Sequence, residues 1–246
     1  MKATQTTITT RIWTRAMNRF DEKVEAACLR RDGYISRILE VEVPHLNAEI
    51  PIPNSDVAAR FIVSQLDLLD RKPVSFKIPR VLGGQLDQVC ASKKIPRDAL
   101  FNRLVFLLAT PNSAIRQLFF GGGQWTDDLI KKYSISEYLR TERDRIFYPL
   151  NENVNPFAEI REGIDLYADD EVIVKSAHPT TGELIDMVQD ENNLRLPRRF
   201  YTYVFDNKQF RDVNLFGLNC YMPDWAIPGH PDQAARSKGL DELMEL

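Results

Sequence analysis

Histidine and cysteine are scarce in this chain, with three of each among 246 residues. His45, His178 and His230 are scattered, without a His-x-x-x-His spacing, and Cys28, Cys90 and Cys220 contain no Cys-x-x-Cys pair. The usual sequence signatures of a zinc site are therefore missing, and no metal is expected. An odd cysteine count without a framework points to a reducing, cytoplasmic setting, with each thiol expected as a small buried hydrophobe. No apolar run approaches the roughly 20 residues that span a bilayer. The first residues, Met1-Lys2-Ala3-Thr4-Gln5-Thr6-Thr7, lack the apolar core of a signal peptide. There is no Gly-x-Ser-x-Gly elbow. Gly121-Gly122-Gly123-Gln124 lacks the Lys-Ser/Thr of a phosphate loop and reads as a hinge. These absences favour a protein that is not an enzyme and carries no cofactor.

What is present is an ordinary globular balance, 43% hydrophobic and 27% charged, with a formal net charge of −3. The charge is unevenly placed. Residues 1–110 hold 17 Lys+Arg against 12 Asp+Glu, a net +5, and residues 111–246 hold 15 against 23, a net −8. A basic first part beside an acidic second part is a pointer to a nucleic-acid surface on the first.

That first part repeats itself. The stretch Leu29-Arg30-Arg31-Asp32-Gly33-Tyr34-Ile35-Ser36-Arg37-Ile38-Leu39 returns, 66 residues on, as Ile95-Pro96-Arg97-Asp98-Ala99-Leu100-Phe101-Asn102-Arg103-Leu104-Val105. The Arg, Asp and Arg keep their places and the apolar positions stay apolar, while Gly33 becomes Ala99. At the same offset upstream lie two alternating segments, Ile8-Thr9-Thr10-Arg11-Ile12 and Val74-Ser75-Phe76-Lys77-Ile78. A unit of strand, helix, turn and helix has been duplicated.

Periodicity places the elements. Thr7 to Trp13 alternates as a strand, with Ile8, Thr10 and Ile12 on one face and Thr7, Thr9 and Arg11 on the other. A helix over about 15–29 follows, then a break at Arg31-Asp32-Gly33, then a second helix over 34–46 with Asp32 as its expected cap. Ser55 or Asn54 caps a bridging helix over 55–69. In the second copy Val74, Phe76 and Ile78 face inward, Pro79 ends the strand, and helices run to about Cys90 and over about 96–110. Gly83-Gly84 inside a helix implies a packing reason, such as a close helix crossing. Beyond Pro111 the pattern becomes mixed. Helices are expected over 114–120, 127–133, 137–145 and 157–167, and strands over 171–175, 184–188, 200–205 and 215–221. The tail, 233–246, reads as a charged amphipathic helix.

The second copy resembles the ribbon-helix-helix fold, or MetJ/Arc superfamily. The residues that carry the likeness are Phe76-Lys77-Ile78-Pro79, Leu82, Leu86-Asp87 and Pro96-Arg97-Asp98-Ala99-Leu100-Phe101-Asn102-Arg103. Members pair two strands, one from each unit, into an antiparallel ribbon that enters the DNA major groove. With two units in one chain the resemblance implies an intramolecular pseudo-dimer: unit one 7–46, the bridging helix 55–69, and unit two 73–110. The fold class expected is α+β, a tandem ribbon-helix-helix domain over 1–110 followed by a mixed α+β domain over 111–246 for oligomerisation, sensing or partner binding. Two departures stand out. The family usually has glycine in the turn between its helices, where Lys94 stands here, and Trp13 replaces the Pro79 of the second copy.

In such a ribbon Thr9, Arg11, Ser75 and Lys77 point away from the core. Arg11 and Lys77 can donate to guanine O6 and N7, and the hydroxyls to several base edges. Helix N-termini near Arg31-Asp32 and Arg97-Asp98 would grip phosphates, with Asp32 and Asp98 as caps. Arg37 and Arg103 are expected to pair with nearby carboxylates. The resemblance thus implies a sequence-specific binder of double-stranded DNA, a transcriptional repressor acting by occupancy. The alternative is an interaction module, an antitoxin or adaptor, whose ribbon no longer reads DNA. A third possibility is an enzyme in the second part, using Asp165, Asp169, Asp170 and Glu171 with a metal. No companion motif supports it, and a solvated turn explains those carboxylates.

Overall fold

Strict alternation in two distant nine-residue segments decides the centre of the fold. In the computed structural model, which describes residues 4–111, 114, 115, 118, 119, 157, 158, 160, 161, 164, 172–177, 184–190, 193–195, 199–207 and 212–232, these segments are strands β1 (Gln5–Trp13) and β2 (Arg71–Pro79). They pair antiparallel and carry the same in–out pattern. Ile8, Ile12, Val74, Phe76 and Ile78 are all buried. Each such side chain gains about 1.5–3 kcal/mol by burial, and a one-residue slip of either strand would turn its two or three of them to water, so the register is firmly set.

Five helices accompany this pair and leave its outer face open: α1 (Thr14–Ala26), α2 (Arg31–Glu49), α3 (Asp56–Leu66), α4 (Arg80–Ser92) and α5 (Arg97–Ala109). The architecture is therefore mixed α and β, with helices packed on a two-stranded antiparallel sheet. α1 buries the stripe Ala16, Met17, Phe20 and Val24, and α4 buries Leu82, Gly83, Leu86 and Cys90. The Ser55 hydroxyl accepts from the Ala58 amide (3.0 Å), the expected cap of α3. The helix ends at Leu66 rather than residue 69.

Several expectations are corrected. α2 starts at Arg31, so Asp32 lies in its first turn, and the Arg30 cap position makes no side-chain bond. Asp98 is likewise inside the first turn of α5, not its cap. Cys28 is exposed rather than buried. It has φ 55, and Lys94, 66 residues later, has φ 50. Both close their helices the same way: the Leu29 amide donates to the Val24 carbonyl (2.9 Å) and the Ile95 amide to the Cys90 carbonyl (2.8 Å). This is the left-handed turn that glycine usually supplies, made here twice without it. The glycine pair of α4 has a strand, not a helix, as its reason. A Cβ on Gly83 would sit 2.9 Å from Cγ2 of Thr6 on β1, whereas one on Gly84 would meet nothing within 4 Å.

The two strand–helix–helix units interlock. α1 packs on α5, α2 on α4, α2 also on β2, and α5 on β1. Phe76 stacks on Phe101 (5.5 Å) and Phe20 on Tyr34 (5.8 Å) within one cluster. That cluster also takes in Phe119, Phe157, Ile160, Phe200, Tyr201, Phe205, Leu215, Leu218 and Cys220, so these later residues share the core of the first 110.

The segments 200–205 and 215–221, expected as strands, are not strands; they form turns, extended stretches and a short 3-10 turn at Phe216–Leu218. Side-chain amides replace the missing partner strand. Asn219 accepts from the Phe205 amide (2.8 Å) and donates to its carbonyl (2.9 Å). Asn54 donates to the Cys220 carbonyl (2.8 Å) and accepts from the Met222 amide (3.0 Å). Strands β3 (Val172–Ala177), β4 (Leu184–Asp190) and β5 (Asn193–Arg195) form an antiparallel sheet in the order β3-β4-β5, the first two matching expectation. The helices expected over 127–133 and 137–145, the tail 233–246, Gly121 to Gln124, His178 and the Asp165–Glu171 carboxylates lie outside the described residues. No described helix is long and apolar enough to cross a membrane.

Candidate nucleic-acid interface

The pairing register supplies a test of the duplication that is independent of the helices. Antiparallel strands related by a twofold axis must have equivalent residues opposite each other at the axis. The observed register places Thr9 opposite Ser75, Thr7 opposite Lys77 and Arg11 opposite Pro73. Thr9 and Ser75 are 66 residues apart, the offset of the helical repeat, and their hydroxyls bond to each other at 2.9 Å. The pseudo-twofold axis therefore passes through this pair, at the middle of the exposed face.

Four of the six residues singled out from sequence, Thr9, Arg11, Ser75 and Lys77, are gathered on that face and exposed, together with Thr7 and Pro73. Lys77 lies four residues from Pro73, the residue facing Arg11. At 3.3–3.4 Å per residue the two cations stand about 13 Å apart along the ribbon. No acidic residue shares the face, and neither cation makes an ion pair with a described residue. Two cations flanking two hydroxyls make a surface that offers hydrogen-bond donors and positive charge.

Beneath the face, one half of the ribbon is bolted to α5 by residues that the sequence reading missed or misassigned. The Thr10 hydroxyl and the Arg11 amide both donate to Oδ1 of Asp98 (2.7 and 3.3 Å), and Arg71 donates to its Oδ2 (3.3 Å). Asn102, fully buried, accepts from the Trp13 amide (2.7 Å) and donates to the Arg11 carbonyl (2.8 Å). Arg11 thus turns both backbone groups away from β2, and Pro73 opposite it loses no ladder bond. The other half differs. Phe76, Ser36 and Pro79 stand at the positions equivalent to Thr10, Asn102 and Trp13, and Oδ1 of Asp32 has no hydrogen-bond partner. A polar residue inside the apolar run of α5 was the available signal for Asn102.

Arg31 and Arg97 are not on the face; they flank it at the starts of α2 and α5. Each meets an acid of the preceding helix: Arg31 lies 3.6 Å from Asp21, and Arg97 is 2.5 Å from Asp87. Asp21 and Asp87 are again 66 apart. Arg31 also bonds the Ser75 carbonyl (3.4 Å) and lies over the Phe76 ring (5.5 Å). Such exposed pairs contribute at most about 1 kcal/mol, so both arginines can exchange partners cheaply.

Arg37 pairs with Glu40 (3.1 Å), as expected, but Arg103 pairs with no carboxylate among the described residues. It is fully buried, donates to the carbonyls of Phe200 and Tyr203, and lies 4.0 Å from the Phe205 ring centroid. Burial lowers its pKa from the usual arginine value. A second buried network ties α2 to the later residues. Arg161 donates to both oxygens of Glu42 (3.0 and 2.6 Å) and to Glu49 (2.6 Å), and the Tyr201 hydroxyl donates to Glu42 (2.7 Å). Burial, then Glu42, raises the Tyr201 pKa, which keeps its proton in place. Asp224, His230 and Asp232 also converge, with ligand atoms within 4.8 Å of one another. There Asp224 accepts from the Ser55 hydroxyl, and His230 Nδ1 accepts from the Asp232 amide (3.3 Å). Compared with known proteins, the chain matches no family model, no curated protein and no solved structure.

Proposed function

We propose that this protein binds double-stranded DNA in a sequence-specific way, as a tandem ribbon-helix-helix pseudo-dimer acting as a transcriptional repressor. The β1–β2 ribbon enters the major groove, which is about 12 Å wide and admits a two-stranded ribbon. The observation that carries this reading is the coincidence of the pairing centre with the repeat offset: Thr9 faces Ser75, and that pair is flanked by Arg11 and Lys77 on the solvent side. The cations donate to guanine edges and the hydroxyls to mixed edges. Arg31 and Arg97 leave Asp21 and Asp87 for phosphates beside the ribbon, helped by the amides at the starts of α2 and α5. Repression follows from occupancy of a promoter, and residues beyond 110 hold a protein partner or a second copy.

The test is binding of the full chain to genomic fragments, followed by gel shift on enriched sites. Arg11→Ala and Lys77→Ala are expected to relax base choice more than they weaken binding to random duplex. Arg31→Ala and Arg97→Ala are expected to weaken binding uniformly and to lower the salt slope by about one each. Absence of any preferred site at moderate salt refutes the proposal. A stoichiometric protein partner retained without nucleic acid would establish the interaction-module alternative.

A further inference from the structure

The two halves of the ribbon face are not equivalent, and the differences all fall on one side of the Thr9–Ser75 axis or the other. We infer that a single chain reads a non-palindromic DNA site, with a narrow half under Arg11 and a permissive half under Lys77. This rests on the DNA-reading proposal and goes beyond it, since a symmetric ribbon would demand a symmetric site.

Three independent features agree. The first is the cation itself. A guanidinium is a planar fork that matches guanine O6 and N7 bidentately, whereas an ammonium on a flexible stem is a point charge with rotatable donors. The second is the neighbour across the ribbon. Arg11 faces Pro73, which brings no polar group, so that half depends on the guanidinium alone. Lys77 faces Thr7, whose hydroxyl donates or accepts and so tolerates several base edges. The third is anchoring. The Arg11 amide and carbonyl are held by Asp98 and Asn102, and the neighbouring Trp13 amide by Asn102. At the Lys77 end the corresponding residues are Asp32, Ser36 and Pro79, and Oδ1 of Asp32 makes no hydrogen bond to the ribbon, lying 3.9 Å from Arg31 Nε. On β2 the bond from outside the ribbon is that of Arg31 to the Ser75 carbonyl (3.4 Å), two residues from Lys77, and a base-reading side chain whose own backbone groups are held discriminates better than one without those bonds.

Selection of a random duplex library by the purified full chain tests this. The expected motif has a guanine preference at one end of roughly 5- to 150-fold per wrong base, the range of a good bidentate contact. A weaker, broader preference is expected about four base-pair steps away. Arg11→Lys should flatten the strong end alone, and Lys77→Arg should sharpen the weak end towards guanine without changing the other. Asn102 lies out of reach of bases, so Asn102→Ser should blur only the Arg11 end. A wild-type motif that is symmetric within the footprint of one bound chain, with the same preference at both ends of the four-step unit, overturns the inference and leaves DNA reading intact, as does an Arg11→Lys variant that flattens both ends equally. An inverted repeat of asymmetric units supports it and reports two bound copies. No enriched motif at all removes the DNA-reading proposal, and this inference with it.

Discussion

Asn102 is the side chain on which the anchored half of the ribbon depends, and Asn102→Ala isolates its contribution. The amide group makes three bonds: from the Trp13 amide (2.7 Å), to the Arg11 carbonyl (2.8 Å) and to the Asp98 carbonyl (2.7 Å). Truncation strands two ribbon groups, because the Asp98 carbonyl sits on α5 four residues earlier and keeps the helical bond. A buried donor or acceptor left without a partner costs about 1–3 kcal/mol. The Arg11 carbonyl belongs to an exposed residue and counts at the low end. The Trp13 amide, under a half-buried ring stacked on Phe106 at 6.2 Å, counts in full. The sum is about 2–4 kcal/mol, which for a chain of this size lowers Tm by roughly 5–15 °C. Asn102→Asp keeps an acceptor for the Trp13 amide, loses the donor to Arg11, and sets a second carboxylate one turn from Asp98. It should be no more stable than the alanine variant at neutral pH and should recover in acid. Calorimetry measures the Tm, and amide exchange at Trp13 reads the local effect. A Tm within about 1 °C of wild type, with unchanged Trp13 exchange, would refute the assignment of Asn102 as the anchor.

Adjacent glycines of α4 should respond with opposite signs. Gly84→Ala gains about 0.5–1 kcal/mol of helix propensity in open space, whereas Gly83→Ala loses stability because its Cβ lands 2.9 Å from Thr6; equal shifts in Tm would sink the packing argument. Alkaline pH should also destabilise the fold. Burial pushes the Cys90 thiol up to about 12 and the Cys220 thiol up to about 11. A folded-state pKa raised above the ordinary value near 9 gives stability that is fully present below about pH 9 and lost as pH climbs through 11 to 12. Tm should therefore be flat from pH 7 to 8.5 and fall above 9, less steeply in Cys220→Ala; a flat profile to pH 11 contradicts the burial of both thiols.

The parts of this fold that were legible in the sequence are those where one period dominates. β1 and β2 alternate without a break, α1 and α4 keep their apolar stripes, and the repeat fixes which segments are equivalent. The exposed face followed directly, because alternation assigns Thr9, Arg11, Ser75 and Lys77 to one side. Legibility failed where one residue type serves two purposes. An acidic residue at the start of a helix reads as a cap, yet Asp98 spends its carboxylate on Thr10, Arg11 and Arg71, a choice set by tertiary approach alone. Aromatic alternation over 200–205 reads as a strand, yet Asn219 meets both backbone groups of Phe205 with a single side chain. No local pattern distinguishes a partner strand from an asparagine 14 residues away.

Arg37 and Arg103 show why duplication helped in one place and misled in another. They share a residue type and a repeat position, yet Arg37 is exposed beside Glu40 and Arg103 is sealed under Phe200 and Phe205. The difference comes from outside the repeat, because the segment at 199–205 covers that face of α5 and leaves Arg37 on α2 open. Symmetry in sequence therefore predicts the surface where the two units meet, the ribbon, and fails wherever a third, unrepeated segment breaks the equivalence. Two identical subunits could not hold Asn102 on one side and Ser36 on the other. Fusing both units in one chain removes that constraint, so the inner layers diverge while the outer face keeps hydroxyl and cation in each copy. The ribbon therefore presents a near-symmetric row of hydroxyls and cations on an asymmetric support.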